Sequence, residues 1–372
     1  MRITNTMMSS TLLANLTRNR ERLAQYQTEL STGRRINTPS DDPEGSSRLL
    51  RLRLHLYDND QYQRNIEDAR DGLVVTESAL QDVEDLLGGV KNLVLRAMDG
   101  SQGEENRQSM AIQVDQSLER LIGLANRRVK GGVLFGGTQT LAVPYTASRE
   151  VTGETFTASY DRAVSLRHAD LMSGSVTVST SDGGVPYVEG TDYTVDYNLG
   201  TVSVLSTGSM SDGTDYKINY ETESTSSVIP NPAGLGGEIG RAIGEGLTIG
   251  VNTSGNEVFT AEVDLFSTLI GLRDSLRRDD LEGIKETLAP LEDGIDQVSR
   301  ATALVGSKIN RSDRALEQLK EEHLTLEELM SRVRDVDMAE AIVQFQMEDN
   351  AYRAALKAGA MILQPSLLDF LR

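Results

Sequence analysis

Leu316-Glu317-Gln318-Leu319-Lys320-Glu321-Glu322-His323-Leu324-Thr325-Leu326-Glu327-Glu328-Leu329-Met330-Ser331-Arg332-Val333 is the stretch that decides how this chain folds. Leu316, Leu319, His323, Leu326, Met330 and Val333 succeed one another at spacings of three and four, the seam of a coiled coil. The proline-free, helix-favouring pattern around it runs from about Gly306 to Leu363 and stops before Pro365. At ~1.5 Å per residue it predicts a rod of roughly 80 Å, longer than a globular core needs. Asp335–Glu340 interrupts the register, and a second seam follows: Ile342, Phe345, Asp349, Tyr352, Leu356, Gly359 and Leu363. So narrow an apolar stripe needs partner helices.

The other end of the chain offers one. Leu12, Leu16, Asn19, Leu23, Tyr26 and Leu30 fit a heptad, and Gly33 stands where a helix C-cap usually has glycine. Arg34 to Pro43 is a non-helical connection. Asp42 before Pro43 reads as an N-cap followed by proline at the first helical position. A long helix follows with Ile66, Ala69, Leu73, Thr76, Leu80, Val83, Leu87, Val90, Val94 and Ala97 on one seam. After the breaker Gly100-Ser101-Gln102-Gly103, Ala111, Val114, Leu118, Leu121 and Ala125 mark a further helix. The short connection predicts an antiparallel hairpin of the two.

From about Leu141 to Val228 the chain turns to Thr, Ser, Val, Tyr and Gly with period-2 alternation, and carries a local charge of −8. Tyr193–Tyr197 and Thr201–Leu205 around Asn198-Leu199-Gly200 read as a hairpin, and Tyr216–Tyr220 as another strand. Beyond Pro230-Asn231-Pro232, Leu247–Asn252 and Glu257–Phe259 read as a second hairpin. Helical patterning resumes at Leu265, Leu269, Leu272 and Leu276, pauses near Pro290, and enters the terminal rod. The expected fold is mainly α with an inserted β domain. Residues 1–40 with 336–372 form a terminal coiled coil, 41–140 with 235–335 a bundle of long helices with a β-hairpin, and 141–234 the β insertion. The assembly coiled coil is expected to use Leu12, Leu16, Leu23, Tyr26, Leu30, Ile342, Phe345, Tyr352, Leu356 and Leu363. The bundle seam is expected to use Ile66, Leu73, Leu80, Leu87, Leu316, Leu319, Leu326 and Met330, with Leu316–Val333 against Ile66–Ala97.

Composition narrows the function. The chain has 372 residues, 38% hydrophobic and 5% aromatic, without tryptophan, which suits narrow helical seams more than one large core. Its net charge of −19 argues against a nucleic-acid partner. Residues 1–36 stand apart with six Arg against Glu21 and Glu29; Arg18, Arg20 and Arg22 read as charges flanking a seam. With no cysteine there is no disulfide or thiolate chemistry. No apolar run approaches a membrane span, and Met1–Thr11 lacks the apolar core of a cleaved signal peptide. His55, His168 and His323 have no metal-ligand spacing. The glycines from Gly234 to Gly240 miss the dinucleotide fingerprint, and neither a phosphate loop nor a nucleophile elbow occurs. Asp41-Asp42 reads as turn and cap, and Asp335, Asp337 and Glu340 as solvated helix carboxylates. No catalytic, cofactor or metal residue is expected, and the chain is not read as an enzyme.

Several stretches together resemble the flagellin superfamily of bacterial axial proteins. They are Met1-Arg2-Ile3-Thr4; Leu30-Ser31-Thr32-Gly33-Arg34-Arg35-Ile36-Asn37 with Ser40-Asp41-Asp42-Pro43; Arg128 to Thr138; Ile249–Asn252 with Val258-Phe259; Ala303–Arg311; Asp335–Ala341; and Ser366–Leu371. The likeness covers roughly 1–140 and 235–372. Asp41-Asp42-Pro43 stands where filament subunits read D-D-A-A-G, and the ending Ser-Leu-Leu-Asp-Phe-Leu is similar to the hook–filament junction branch. The resemblance implies a non-enzymatic, extracellular flagellar subunit, exported by the flagellar type III route without a cleaved signal. It also implies its partners: further copies of itself, hook-associated protein 1, flagellin, and an export chaperone at the C-terminal end. Neither nucleic acid nor membrane insertion is implied. A flagellin proper, and a coiled-coil adhesin whose β insertion binds a ligand, are the other readings. With Asn19, His323, Asp349 and Gly359 on the seams, Ile342–Leu363 is expected to pair with Leu12–Leu30 only once neighbours add apolar surface.

Overall fold

The computed structural model describes residues 5–129 and 131–363. Its helices are α1 (Asn5–Thr32), α2 (Pro43–Ala97), α3 (Glu104–Ala125), α4 (Gly255–Phe259), α5 (Leu265–Arg277), α6 (Leu281–Glu286), α7 (Leu288–Arg334) and α8 (Met338–Leu363). Backbone contacts divide the chain into two units, residues 1–64 with 316–372 and residues 65–315. The boundary falls inside α2 and α7, where no glycine or proline marks it.

In the larger unit, all ten α2 seam residues from Ile66 to Ala97 are buried. Full burial of a Leu, Ile or Val stabilises by about 1.5–3 kcal/mol, so this stripe alone commits α2 to a bundle. Arg107 Nη1 donates to Ala97 O at 3.1 Å at one end of α3, and Arg127 Nη1 to Asp82 at 3.0 Å at the other. Those two bonds run α3 antiparallel to α2. Helix α5 lies antiparallel to α3, tied by Arg273–Asp115 at 3.0 Å and by Arg107–Asp279. Helix α7 returns along α2 through Lys91–Glu292 at 2.7 Å, Thr302–Glu84 at 2.8 Å and Arg70–Asp313 at 2.6 Å. In the core of this bundle Phe135, Tyr145, Phe259 and Phe266 form one aromatic plug, with Phe135 edge-on to Phe259 at 5.2 Å.

That antiparallel register corrects one expectation. The part of α7 opposite Ile66–Ala97 is Glu292–Asp313, whereas Leu319 and His323 meet Asn59 and Asp60 in the smaller unit. Leu319 is buried there, and Leu316, Leu326 and Met330 are half-buried. The pause near Pro290 is corrected too. The chain breaks at Arg278–Asp280, where Asp279 has φ 57°, and again at Thr287. Pro290 sits in the first turn of α7, where its missing N–H costs nothing.

The strands are β1 (Arg128–Val129), β2 (Gly132–Val133), β3 (Tyr145–Ser148), β4 (Glu150–Thr157), β5 (Val164–Ser165), β6 (Thr177–Thr180), β7 (Pro186–Tyr187), β8 (Tyr193–Asp196), β9 (Thr201–Val204), β10 (Asp215–Glu221), β11 (Ser227–Pro230), β12 (Gly240–Gly244) and β13 (Leu247–Gly250). The chain enters and leaves the insertion through β3 paired with β11, Tyr145 opposite Pro230. Beyond that root, an antiparallel sheet ordered β4-β10-β6-β7 and a three-stranded sheet β5-β9-β8 enclose a core that includes Phe156, Val178, Tyr193, Val202 and Ile218. The hairpin at Asn198–Gly200 is β8–β9, with Gly200 at φ 61° and His168 O where a Cβ would stand. The second expected hairpin is different. Strand β13 pairs back with β12, and Glu257-Val258-Phe259 lies in α4, which drives Val258 and Phe259 into the core. The glycines of β12 hide its strand character.

The insertion is bound to α5 by buried charge. His168 Nδ1 meets Asp274 at 2.8 Å, Arg273 donates to Thr225 O at 2.7 Å, and Arg277 pairs with Asp170 at 2.8 Å. Replacing Leu80 by Ala is expected to destabilise the bundle by about 3 kcal/mol. Leu54→Ala, at an exposed position, should cost less than about 0.5 kcal/mol. Urea unfolding of the two variants checks the contrast.

Candidate assembly interface

Helices α1 and α8 pack together in the single chain, which corrects the expectation that they pair only in an assembly. On α1, Leu12, Leu16, Asn19, Leu23, Tyr26 and Leu30 are half-buried while their neighbours between Thr11 and Thr28 are exposed. On α8 Ala341, Phe345, Glu348, Tyr352, Ala355 and Gly359 are covered at alternating spacings of four and three, with Gln344 and Asp349 half-buried beside them. Phe345, Asp349, Tyr352 and Gly359 belong to the expected seam. Ile342 and Leu356 do not join it, being 44% and 45% exposed. They stand one residue, about 100°, around the helix from their covered neighbours. The side chain of Leu363 lies outside the described residues, as do Met1–Thr4 and Ser366–Leu371.

The seam prefers small residues because the helices come close. A Cβ on Gly359 would lie 2.8 Å from Leu12 Cδ2, so this glycine admits the leucine. Arg22 meets Glu348 at 3.0 Å on the solvent side, a contact worth less than about 1 kcal/mol. Buried Glu29 accepts from Gln25 at 2.9 Å, and beside it Tyr26, Arg35, Asp337 and Ala341 line a cleft of about 410 Å³.

What sets the register is a clasp between the exit of α1 and the break between α7 and α8. Gly33, at φ 69°, ends α1 by donating to Glu29 O at 2.8 Å, a left-handed conformation that favours glycine. Its carbonyl accepts from Val336 N at 3.1 Å, Arg35 N donates to Arg334 O at 2.8 Å, and the Arg35 guanidinium donates to Val333 O at 3.0 Å. Arg35 also pairs with Asp42 at 3.2 Å. The turn that follows is built on carboxylates. Asp41 accepts from Asn37 N at 2.9 Å and Thr38 N at 2.7 Å, and Asp42 caps α2 by accepting from Gly45 N at 2.8 Å. Asp337, expected to be a solvated helix carboxylate, is the N-cap of α8, accepting from Ala339 N at 2.9 Å and Glu340 N at 3.2 Å. Sequence reasoning missed Glu29, Arg35 and Asp337 as contact residues; the Asp–x–x–Glu spacing before an apolar run was the available signal for the last.

These bonds favour the ionised carboxylates. The Thr38 N–H, then its hydroxyl and the Asn37 N–H, lower Asp41; the Gly45 N–H, with Arg35, lowers Asp42; and the Arg334 guanidinium lowers Asp335. Among the described residues no group of three or more carboxylates or histidines could hold a metal ion, and no helix is long and apolar enough to cross a membrane.

The bacterial flagellin N-terminal helical region matches residues 3–140 and the flagellin C-terminal helical region residues 288–371, together more than half of the chain. The chain belongs to the flagellin family. Its proteins are structural, and the chain is a structural flagellar component, like hook-associated protein 3, and not an enzyme. Residues 135–229 match a family of unknown function. Flagellar hook-associated protein 3 of Escherichia coli is 26% identical over 150 residues, 40% of this chain and 47% of that protein. Polar flagellin F of Vibrio parahaemolyticus is 23% identical over 353 residues, 89% of this chain and 88% of that protein. The chain spans less than half the length of hook-associated protein 3 from either Escherichia coli or Salmonella typhimurium, 47% and 46%. A solved structure described as a flagellar hook-associated protein from Vibrio parahaemolyticus shares the fold, with a TM-score of 0.52 and 17% identity over 79% of this chain and all of that one.

Asp337→Ala is expected to destabilise the start of α8 by about 1 kcal/mol, read as faster amide exchange at Met338–Ala341. Acid should open the clasp. The folded values of Asp41, Asp42 and Asp335 are depressed, so the stability they contribute is complete above 3.8 and is lost as pH falls below it. Exchange of the Asn37 and Thr38 amides between pH 5 and pH 2.5 checks this; amides whose protection is unchanged across that range would refute it.

Proposed function

We propose that the chain is the structural subunit joining the hook, through hook-associated protein 1, to the flagellin filament. On this reading the flagellar type III apparatus exports it unfolded, and a cytoplasmic chaperone holds its C-terminal end beforehand. One observation carries the assembly part. Helix α8 has a second heptad-like stripe, Val343, Met347, Ala351, Ala354, Ala358 and Met361, exposed along its whole length while its other face seams onto α1. A helix with apolar residues on more than one face is built to be surrounded. Further copies of this chain, and the axial proteins above and below it, would surround it.

The junction reading draws on Asp41-Asp42-Pro43, which stands where filament subunits read D-D-A-A-G, and on the match to hook-associated protein 3. The filament reading draws on the match to polar flagellin F along most of the chain. Tagged protein on intact flagella decides between them: a short collar above the hook is expected, and label along the whole filament would overturn the junction role. A cell lacking the chain should still export flagellin and assemble no filament on its hooks. In the free chain, exchange protection of α1 and α8 should be at least about tenfold lower than that of Ile66–Ala97.

A further inference from the structure

The first 22 residues of α2 carry a second unpartnered face, distinct from the α8 stripe. Leu50, Leu54 and Tyr57 are 60%, 56% and 71% exposed and recur at i, i+4 and i+7. The opposite face holds Leu49, Leu52, Leu56 and Asn59, and from there Asn59 Nδ2 donates to Leu319 O at 3.0 Å. The exposed stripe therefore points away from α7. Arg51, Arg53 and Arg64 flank it, and none has an ion-pair partner among the described residues. At its N-terminal end it opens into a hollow of about 500 Å³ lined by Thr38, Pro39, Pro43, Ser47, Leu50 and Arg53.

The outward face of α7 has the complementary character. Leu324 is 66% exposed, and Glu317, Glu321 and Glu328 share its face at helical spacing. Glu328 is held by Arg332 at 2.6 Å, whereas Glu317 and Glu321 have no ion-pair partner among the described residues. The inward face of α7, through Leu319 and His323, is the one that meets α2. The basic stripe and the acidic stripe thus lie on opposite outsides of one helix pair and cannot meet within one chain.

We propose that the Leu50–Leu54–Tyr57 face of one copy receives the Leu324 face of a second copy, with Arg51 and Arg53 opposite Glu317 and Glu321. Two different faces meeting make a heterologous contact, which propagates from copy to copy and does not close as a pair. Opposite charges around an apolar centre also set register and exclude like-with-like pairing. This contact rests on the junction reading and adds to it a specific pair of surfaces.

The absence of cysteine makes the test clean. A full-length chain carrying Leu54→Cys and Leu324→Cys is expressed in cells lacking the native one, and isolated flagella are oxidised with copper–phenanthroline. We expect a ladder of cross-linked species from dimer upward, and none from either single variant. Flagella that contain the double variant but yield no ladder would overturn the contact while leaving the junction role standing. A chain missing from flagella altogether would overturn both. In the double-cysteine chain, R51E with R53E should reduce the ladder at least tenfold, and adding E317R with E321R should restore it. Failure of that exchange to restore cross-linking would overturn the charge pairing.

Discussion

Three backbone and side-chain bonds across the clasp set the geometry of the smaller unit: Val336 N to Gly33 O, Arg35 N to Arg334 O, and Arg35 to Val333 O. Two antiparallel helices can slide by a heptad at little cost when their seams repeat. The clasp removes that freedom by anchoring the exit of α1 to the entry of α8. Gly359 then falls opposite Leu12, where its missing Cβ is required, and Arg22 falls opposite Glu348. The stretch around Gly33 and Asp41-Asp42 is thus structural hardware, a turn whose carboxylates satisfy backbone N–H groups that would otherwise be orphaned.

How much of this could be read beforehand depended on the side chains involved. The α1 heptad and the Ile66–Ala97 stripe were visible because bulky residues recur at the seam period. At two positions the α8 seam lies one residue from the expected one, because the small Ala341 and Ala355 are covered whereas the larger Ile342 and Leu356 face outward. Size is a poor guide where close approach is what the contact needs. Strand β12 was hidden for a related reason, since Gly240 and Gly244 carry no β signal. The division between units leaves no trace in the sequence, because α2 and α7 pass through it without a break.

Nor did the pattern reveal the joint between the insertion and α5. Arg273 is fully buried, with Asp115, Asp274 and the Thr225 carbonyl around it. An arginine on a helix reads as solvated until tertiary structure closes over it. Burying such a charge is costly, and its surroundings repay that only in one geometry, so the network specifies orientation more than it adds stability. Arg277, whose pKa is lowered by burial and by its neighbour Arg273, pairs with Asp170 and extends the same constraint to the segment between β5 and β6.

The clasp also imposes an order of events. Arg35 and Val333 are 298 residues apart, and closing a free loop of that length costs about 5 kcal/mol in its length-dependent part. A bundle that forms first shortens the search, because Arg70–Asp313 and its neighbours have already brought the two flanking strands of chain together. The pairing of α1 with α8 thus joins segments from opposite ends of the sequence, and a helical face completed by two such distant segments exists only when both are in place.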